Sequence, residues 1–133
     1  LARSTLALAM TASRRRSTLA ALALYGCSAD PYRLDTERGA AGVELSPYAL
    51  REECVALQPG ERIGFYFVSV APVAFNIHYH DANAVIMPIV REHATHESGE
   101  FTADRREIYC LMWEAGAQAS ILEYRVRPLP SRN

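Results

Sequence analysis

All four histidines of the chain, His78, His80, His93 and His96, fall in one short window. His78 and His80 are two residues apart, the spacing that puts both imidazoles on one face of a β-strand. His93-Ala94-Thr95-His96 follows on a polar stretch that reads as a surface loop. Neutral imidazoles converging from a strand and a neighbouring loop are the donor set for copper or zinc. A cupin would add a glutamate a few residues after its His-x-His, and Asp81 to Pro88 holds none. The preferred reading is therefore two half-exposed strand histidines hydrogen-bonded to their neighbours, with no cofactor. A copper or zinc centre built from His78, His80, His93 and His96 is the alternative.

The three cysteines divide into two kinds. On Tyr109 to Trp113, the residues Tyr109, Leu111 and Trp113 alternate inward, which turns Cys110 to the opposite face. Cys54 is likewise out of phase with Val55 and Leu57. Two thiols on the outer faces of their strands form a cross-strand disulfide when those strands are neighbours. Their separation excludes a Cys-x-x-Cys redox motif. Cys27 stands elsewhere, at the end of a segment with the order of an export signal: Arg14, Arg15 and Arg16, then the apolar run Ser17 to Tyr25, then Gly26-Cys27. That run is too short for a membrane-spanning helix, which needs about 20 residues. Leu24-Tyr25-Gly26-Cys27 resembles a bacterial lipobox, which implies cleavage before Cys27 and lipidation of its thiol. Ser28, where an Asp would hold the protein at the inner membrane, implies the outer membrane, with the domain on the periplasmic side.

Catalytic signatures are missing. The chain has no Gly-x-Ser-x-Gly, no phosphate-binding glycine loop and no His-Glu-x-x-His. No enzyme is expected. All fourteen basic residues are arginine, and four of them precede Cys27; past residue 26, ten arginines face fifteen carboxylates, a net of −5. That sign disfavours a nucleic-acid partner, which selects for a basic face.

The elements that must position these groups read almost entirely as short strands. Residues 1–26 form the upstream and signal segment. Residues 27–42, with Pro31, Gly39 and Gly42 and no apolar period, read as a tether. Residues 43–128 form the domain, and 129–133 a tail. Ser46-Pro47 offers an N-cap and a first-turn proline, which predicts one helical turn over Tyr48 to Arg51. Cys54 to Leu57 leads through Pro59-Gly60 into Arg62 to Val70, the pattern of a hairpin. Ala71-Pro72 breaks the chain before Val73 to His80, where Phe75, Ile77 and Tyr79 alternate against an outward face of Asn76, His78 and His80. Asp81-Ala82-Asn83 turns into Ala84 to Val90, and Pro88 marks that strand as an edge. Arg91 to Gly99 reads as a loop, Phe101 and Ala103 as a brief strand, and Glu107 to Trp113 and Ile121 to Val126 as the last two strands. Tyr66, Tyr79, Tyr109, Trp113 and Tyr124 are read as core rather than as the lining of a groove.

Seven or eight short strands with turns every 8 to 12 residues or so predict an all-β, antiparallel β-sandwich of jelly-roll type. Within it, Phe75-Asn76-Ile77, Gly99 to Ala103, Tyr109 to Glu114 and Leu122 to Val126 together resemble the GOLD domain, the Golgi-dynamics type of β-sandwich. In that family an aromatic, an aliphatic and an aromatic alternate on the penultimate strand, as Tyr109, Leu111 and Trp113 do here. The resemblance spans Val55 to Val126 and implies a binding or interaction module without catalytic residues. The expectation is a lipid-anchored envelope protein whose β-domain binds a protein, a lipid or an envelope component.

Overall fold

The computed structural model describes Gly26 and residues 28–132; the signal segment before Gly26, Cys27 and Asn133 lie outside the described residues. Six strands make up the fold: β1 (Arg38–Leu45), β2 (Leu50–Leu57), β3 (Arg62–Asp81), β4 (Ala84–Thr102), β5 (Glu107–Ala115) and β6 (Ser120–Leu129). All pair antiparallel in one continuous, curled sheet, and no helix occurs among the described residues. The all-β antiparallel class is the one the periodicity predicts. The strand number is lower than expected because two predicted interruptions do not interrupt. β3 continues through Ala71-Pro72, and Arg91 to Gly99 belongs to β4 rather than to a loop.

β3 organises the sheet. Along one edge it pairs with β4 over its whole length, from Arg62↔Thr102 to Asp81↔Ala84. On its other edge it changes partner: Arg62 to Ser69 pair with β6, and Val73 to His78 pair with β5. β1 then extends the β6 side and β2 the β5 side, giving the order β1-β6-β3-β5-β2. Two arms result. One holds β1, β6 and the first half of β3; the other holds β2, β5 and the second half.

The corner between the arms falls at Ser69–Val73. Proline has no N–H to give to a ladder, so Pro72 sits where no ladder bond is needed. The main chain there is satisfied by hydroxyls instead. Ser120 Oγ accepts from Ala71 N at 2.9 Å and lies 2.6 Å from Ser69 Oγ, which donates to Ala71 O at 2.6 Å. All three residues are buried, so these bonds replace pairs that water cannot supply. β4 turns with β3, its register stepping from Val68↔His96 to Val73↔Ala94, and Arg91 Nη2 reaches Glu97 Oε1 at 3.0 Å along the same strand.

The inner faces of the arms meet on aromatic rings. Trp113 of β5 stacks on Tyr124 of β6 at 4.5 Å between centroids and on Phe75 at 5.5 Å, while Phe67 packs on Phe75 at 4.9 Å. None of these four rings is more than 1% exposed. Tyr79 and Tyr109 are core as well, whereas Tyr66 remains on the surface. The open edges β1 and β2 are tied by a polar chain: Arg51 donates to the Tyr124 hydroxyl at 2.8 and 3.0 Å, Tyr124 donates to Glu53 at 3.1 Å, and Arg38 donates to Glu53 at 3.1 Å. Burial pushes the Tyr124 hydroxyl above its ordinary range, against the pull of Arg51, so it stays a neutral donor.

Several local expectations are corrected. The segment read as a tether enters the domain early: Tyr32 O accepts from Ala56 N at 2.8 Å, and β1 starts at Arg38 rather than at residue 43. Gly39 and Gly42 are there for the strand, not for slack. A Cβ at Gly39 would lie 2.2 Å from Tyr124 O, and Gly42, at φ +66°, forms the bulge between Ala40↔Tyr124 and Val43↔Leu122. Tyr48 takes a positive φ of 61° in a turn, so the predicted helical turn is absent. β2 and β3 are no hairpin, because β2 pairs with β5 and the Pro59-Gly60 turn leans on Ala103 instead. β6 runs to Leu129, one residue past the expected boundary.

Candidate functional site

The histidine window does not assemble into one cluster. His78 and His80 remain neighbours on β3, their rings 5.3 Å apart. His93 and His96 lie on β4 at the corner, where Ala94 pairs with Val73 and His96 with Val68. Val73 is five positions from His78 along β3, roughly 17 Å at strand rise. Among the described residues no three His, Cys, Asp or Glu side chains are placed to hold a metal ion.

The outward face predicted for Asn76, His78 and His80 is also corrected. Only His80 faces solvent, while Asn76 and His78 are 7% and 4% exposed. The reason is crowding by the neighbours on either side. On one, His78 pairs with Cys110, and Cys110 pairs with Cys54; the two cysteines are joined (S–S 2.02 Å, Cα–Cα 4.0 Å). On the other, the register steps from Ile77↔Ile89 to Tyr79↔Ile86, so Met87 and Pro88 together oppose His78 in a bulge. His78 Nδ1 and Asn76 Oδ1 are hydrogen-bonded at 2.7 Å, and Nε2 lies 3.6 Å from Glu52 Oε1. Burial holds His78 below its ordinary pKa, partly opposed by Glu52 and reinforced by His80. Burial favours the neutral ring against the pull of Glu52, and its hydrogen bond to Asn76 makes His78 a structural histidine.

Among the described residues, two outer surfaces have no partner. On the second arm, the turn-proximal part of β4 pairs only with β3, and Val85, Ile86, Met87 and Val90 along it are each 38–48% exposed. No other described strand pairs with its second main-chain edge. On the first arm, β4, β3 and β6 together form the floor of a cleft of about 530 Å³, lined by Gly64, Tyr66, Ser98, Glu100, Arg125 and Arg127, with Glu37 at its rim. Cross-strand register builds it: Gly64 lies between Glu100 and Arg127, and Tyr66 between Ser98 and Arg125.

The edge of β4 is signalled in the sequence by Pro88, and β4 does pair with β3 alone; the exposure of its apolar side chains follows from that position. For the cleft, the usable signal is Arg125-x-Arg127 alternating with the buried Tyr124 and Val126. Its other wall, however, comes from residues some sixty positions earlier. No family model matches this chain, and no curated protein matches it.

Proposed function

We propose that this chain is a non-enzymatic interaction module of a bacterial cell envelope, held to the outer membrane by a lipid on Cys27 and docking a protein partner along the open end of β4. The lipobox-like Leu24 to Cys27 supports the anchor, and the spacing that resembles a GOLD domain supports a module that binds rather than catalyses. The observation that carries the reading is the combination of an unpaired strand edge with exposed Val85, Ile86, Met87 and Val90 on the same element. An unpaired row of N–H and C=O groups is matched by another extended main chain, which a polypeptide supplies and a lipid does not. The apolar side chains then give the added strand its register and its burial.

Photo-crosslinking in intact cells tests this. A crosslinker at Val85 or Val90 should yield one discrete protein adduct, and a lysine at the adjacent β4 position, which blunts an edge, should abolish it. Equal adducts from Arg106, on the turn before β5, or none from β4, would overturn the docking edge. Intact mass of the membrane fraction tests the anchor separately: it should show a chain beginning at acylated Cys27.

A further inference from the structure

We infer that the cleft on the outer face of the first arm is a binding site for a small ring-bearing carboxylate, with Arg127 as the anion donor and Tyr66 as the ring platform. The charge arrangement selects the anion. The cleft is lined by two guanidinium groups, those of Arg125 and Arg127, and by two carboxylates, those of Glu37 and Glu100. Arg125 is held by Glu37 at 3.6 Å and Glu123 at 3.4 Å. Glu100 is taken by Arg62 and by Arg132. Arg127 is left with no carboxylate partner among the described residues, and it lies within the cleft. Both lining carboxylates are thus engaged by other arginines, and Arg127 keeps an uncompensated charge among the described residues, on a chain that is net negative past residue 26, with ten arginines against fifteen acids.

The shape selects the ring. Arg127 lies flat across Gly64, where an added Cβ would stand 3.2 Å from its Nε, so the absence of a side chain keeps the guanidinium low on the sheet with its donor edge free. A planar guanidinium with a free edge takes a carboxylate through two parallel hydrogen bonds, which a spherical charge does not require. Tyr66, 40% exposed and two residues along on the same face of β3, offers an aromatic surface beside that anchor. Ser98, across from Tyr66, adds a hydroxyl for a polar ring substituent. At about 530 Å³ the cleft accommodates a single ring with its substituents.

Titration of the purified full chain with benzoate, glucuronate, benzamide and inorganic phosphate, followed by amide chemical shifts, tests the site. Benzoate and glucuronate should move the amides of Gly64, Tyr66 and Arg127, with benzamide at least about tenfold weaker, the scale of one lost charge-assisted hydrogen bond. Arg127→Ala and Arg127→Gln should each weaken benzoate by about tenfold or more with the melting temperature held. Arg106→Ala, in the turn before β5, should change nothing. Benzamide binding as well as benzoate, phosphate binding as tightly as either ring, unchanged affinity in both Arg127 variants, or no shift at the cleft would each overturn the proposal. Crosslinking from β4 reads the other arm, so either reading fails or stands without the other.

Discussion

On one side of the corner at Ser69–Val73, β3 pairs with β6 and the arm has a charged outer face; on the other it pairs with β5 and the arm holds a disulfide, a buried histidine and the apolar edge of β4. The inner faces of the two arms do the same work, since Phe67, Phe75, Trp113 and Tyr124 from both pack into one cluster. Inner faces answer to a single demand, the removal of apolar surface from water, and so converge on similar residues. Outer faces are released from that demand. The first arm uses its freedom for arginines and carboxylates in partial balance; the second fixes β2 to β5 covalently and leaves the end of β4 open.

The largest expected effect breaks the similarity. Trp113→Ala removes the ring that both arms share, and denaturant unfolding should show a loss of about 3–5 kcal/mol, enough to abolish folding of many domains this size. Next in size is the covalent difference. Reducing Cys54–Cys110, separated by 56 positions, should cost about 4 kcal/mol in the chain-entropy model. Hydrogen exchange should rise first in β2 and β5, whereas equal loss across β1 and β6 would show that the arms are not separate units. The corner itself is tested by Ser120→Ala, which leaves Ala71 N without its acceptor; about 1–3 kcal/mol should be lost.

The smallest effects sharpen the description of the second arm. His80→Ala, at an exposed site, should change stability by no more than about 0.5 kcal/mol. His78 should instead announce itself through pH. Its folded pKa lies below the ordinary 6.5, so as pH falls past that value the unfolded chain takes up a proton that the folded chain refuses. Stability is therefore full above about pH 6.5 and declines as pH falls toward the folded pKa, below which this contribution is lost. Melting curves of His78→Gln should lack that part of the decline. An unchanged acid profile would show that His78 takes up its proton equally readily in the folded and the unfolded chain.

Period-two alternation made the core legible from the sequence: Phe75, Ile77 and Tyr79, Tyr109, Leu111 and Trp113, and Leu122, Tyr124 and Val126 all point inward. The phase of Cys54 and Cys110 turns each thiol away from the core side of its own strand, and the pairing of β2 with β5 brings the two together. Partner choice was not legible, because it is settled by distant segments. Cys54 to Leu57 and Arg62 to Val70 look like a hairpin locally, yet β2 pairs with β5 while Arg62 to Ser69 pair with β6 and β4. Arg91 to Gly99 looks like a loop because an edge strand with water around it has no reason to alternate. His78 looked exposed because its own strand pattern says so; its burial comes from a disulfide and a bulge on flanking strands. The cleft was hidden for the same reason, Gly64 and Arg127 being joined only by sheet register.

The partner switch along β3 also sets an order in time. A chain growing from its N-terminus holds every strand of the second arm once residue 115 is made, including the Cys54 and Cys110 that clasp it around the β3–β4 hairpin. The first arm has to wait: β1, the earliest strand, has no partner until β6, the latest, arrives to pair Arg38 with Val126 and Leu45 with Ser120. Until then Phe65 and Phe67 lie uncovered beside half-built sheet edges, the condition in which chains associate wrongly. A chain stopped after Gly116 would thus be a stapled half with an exposed aromatic face.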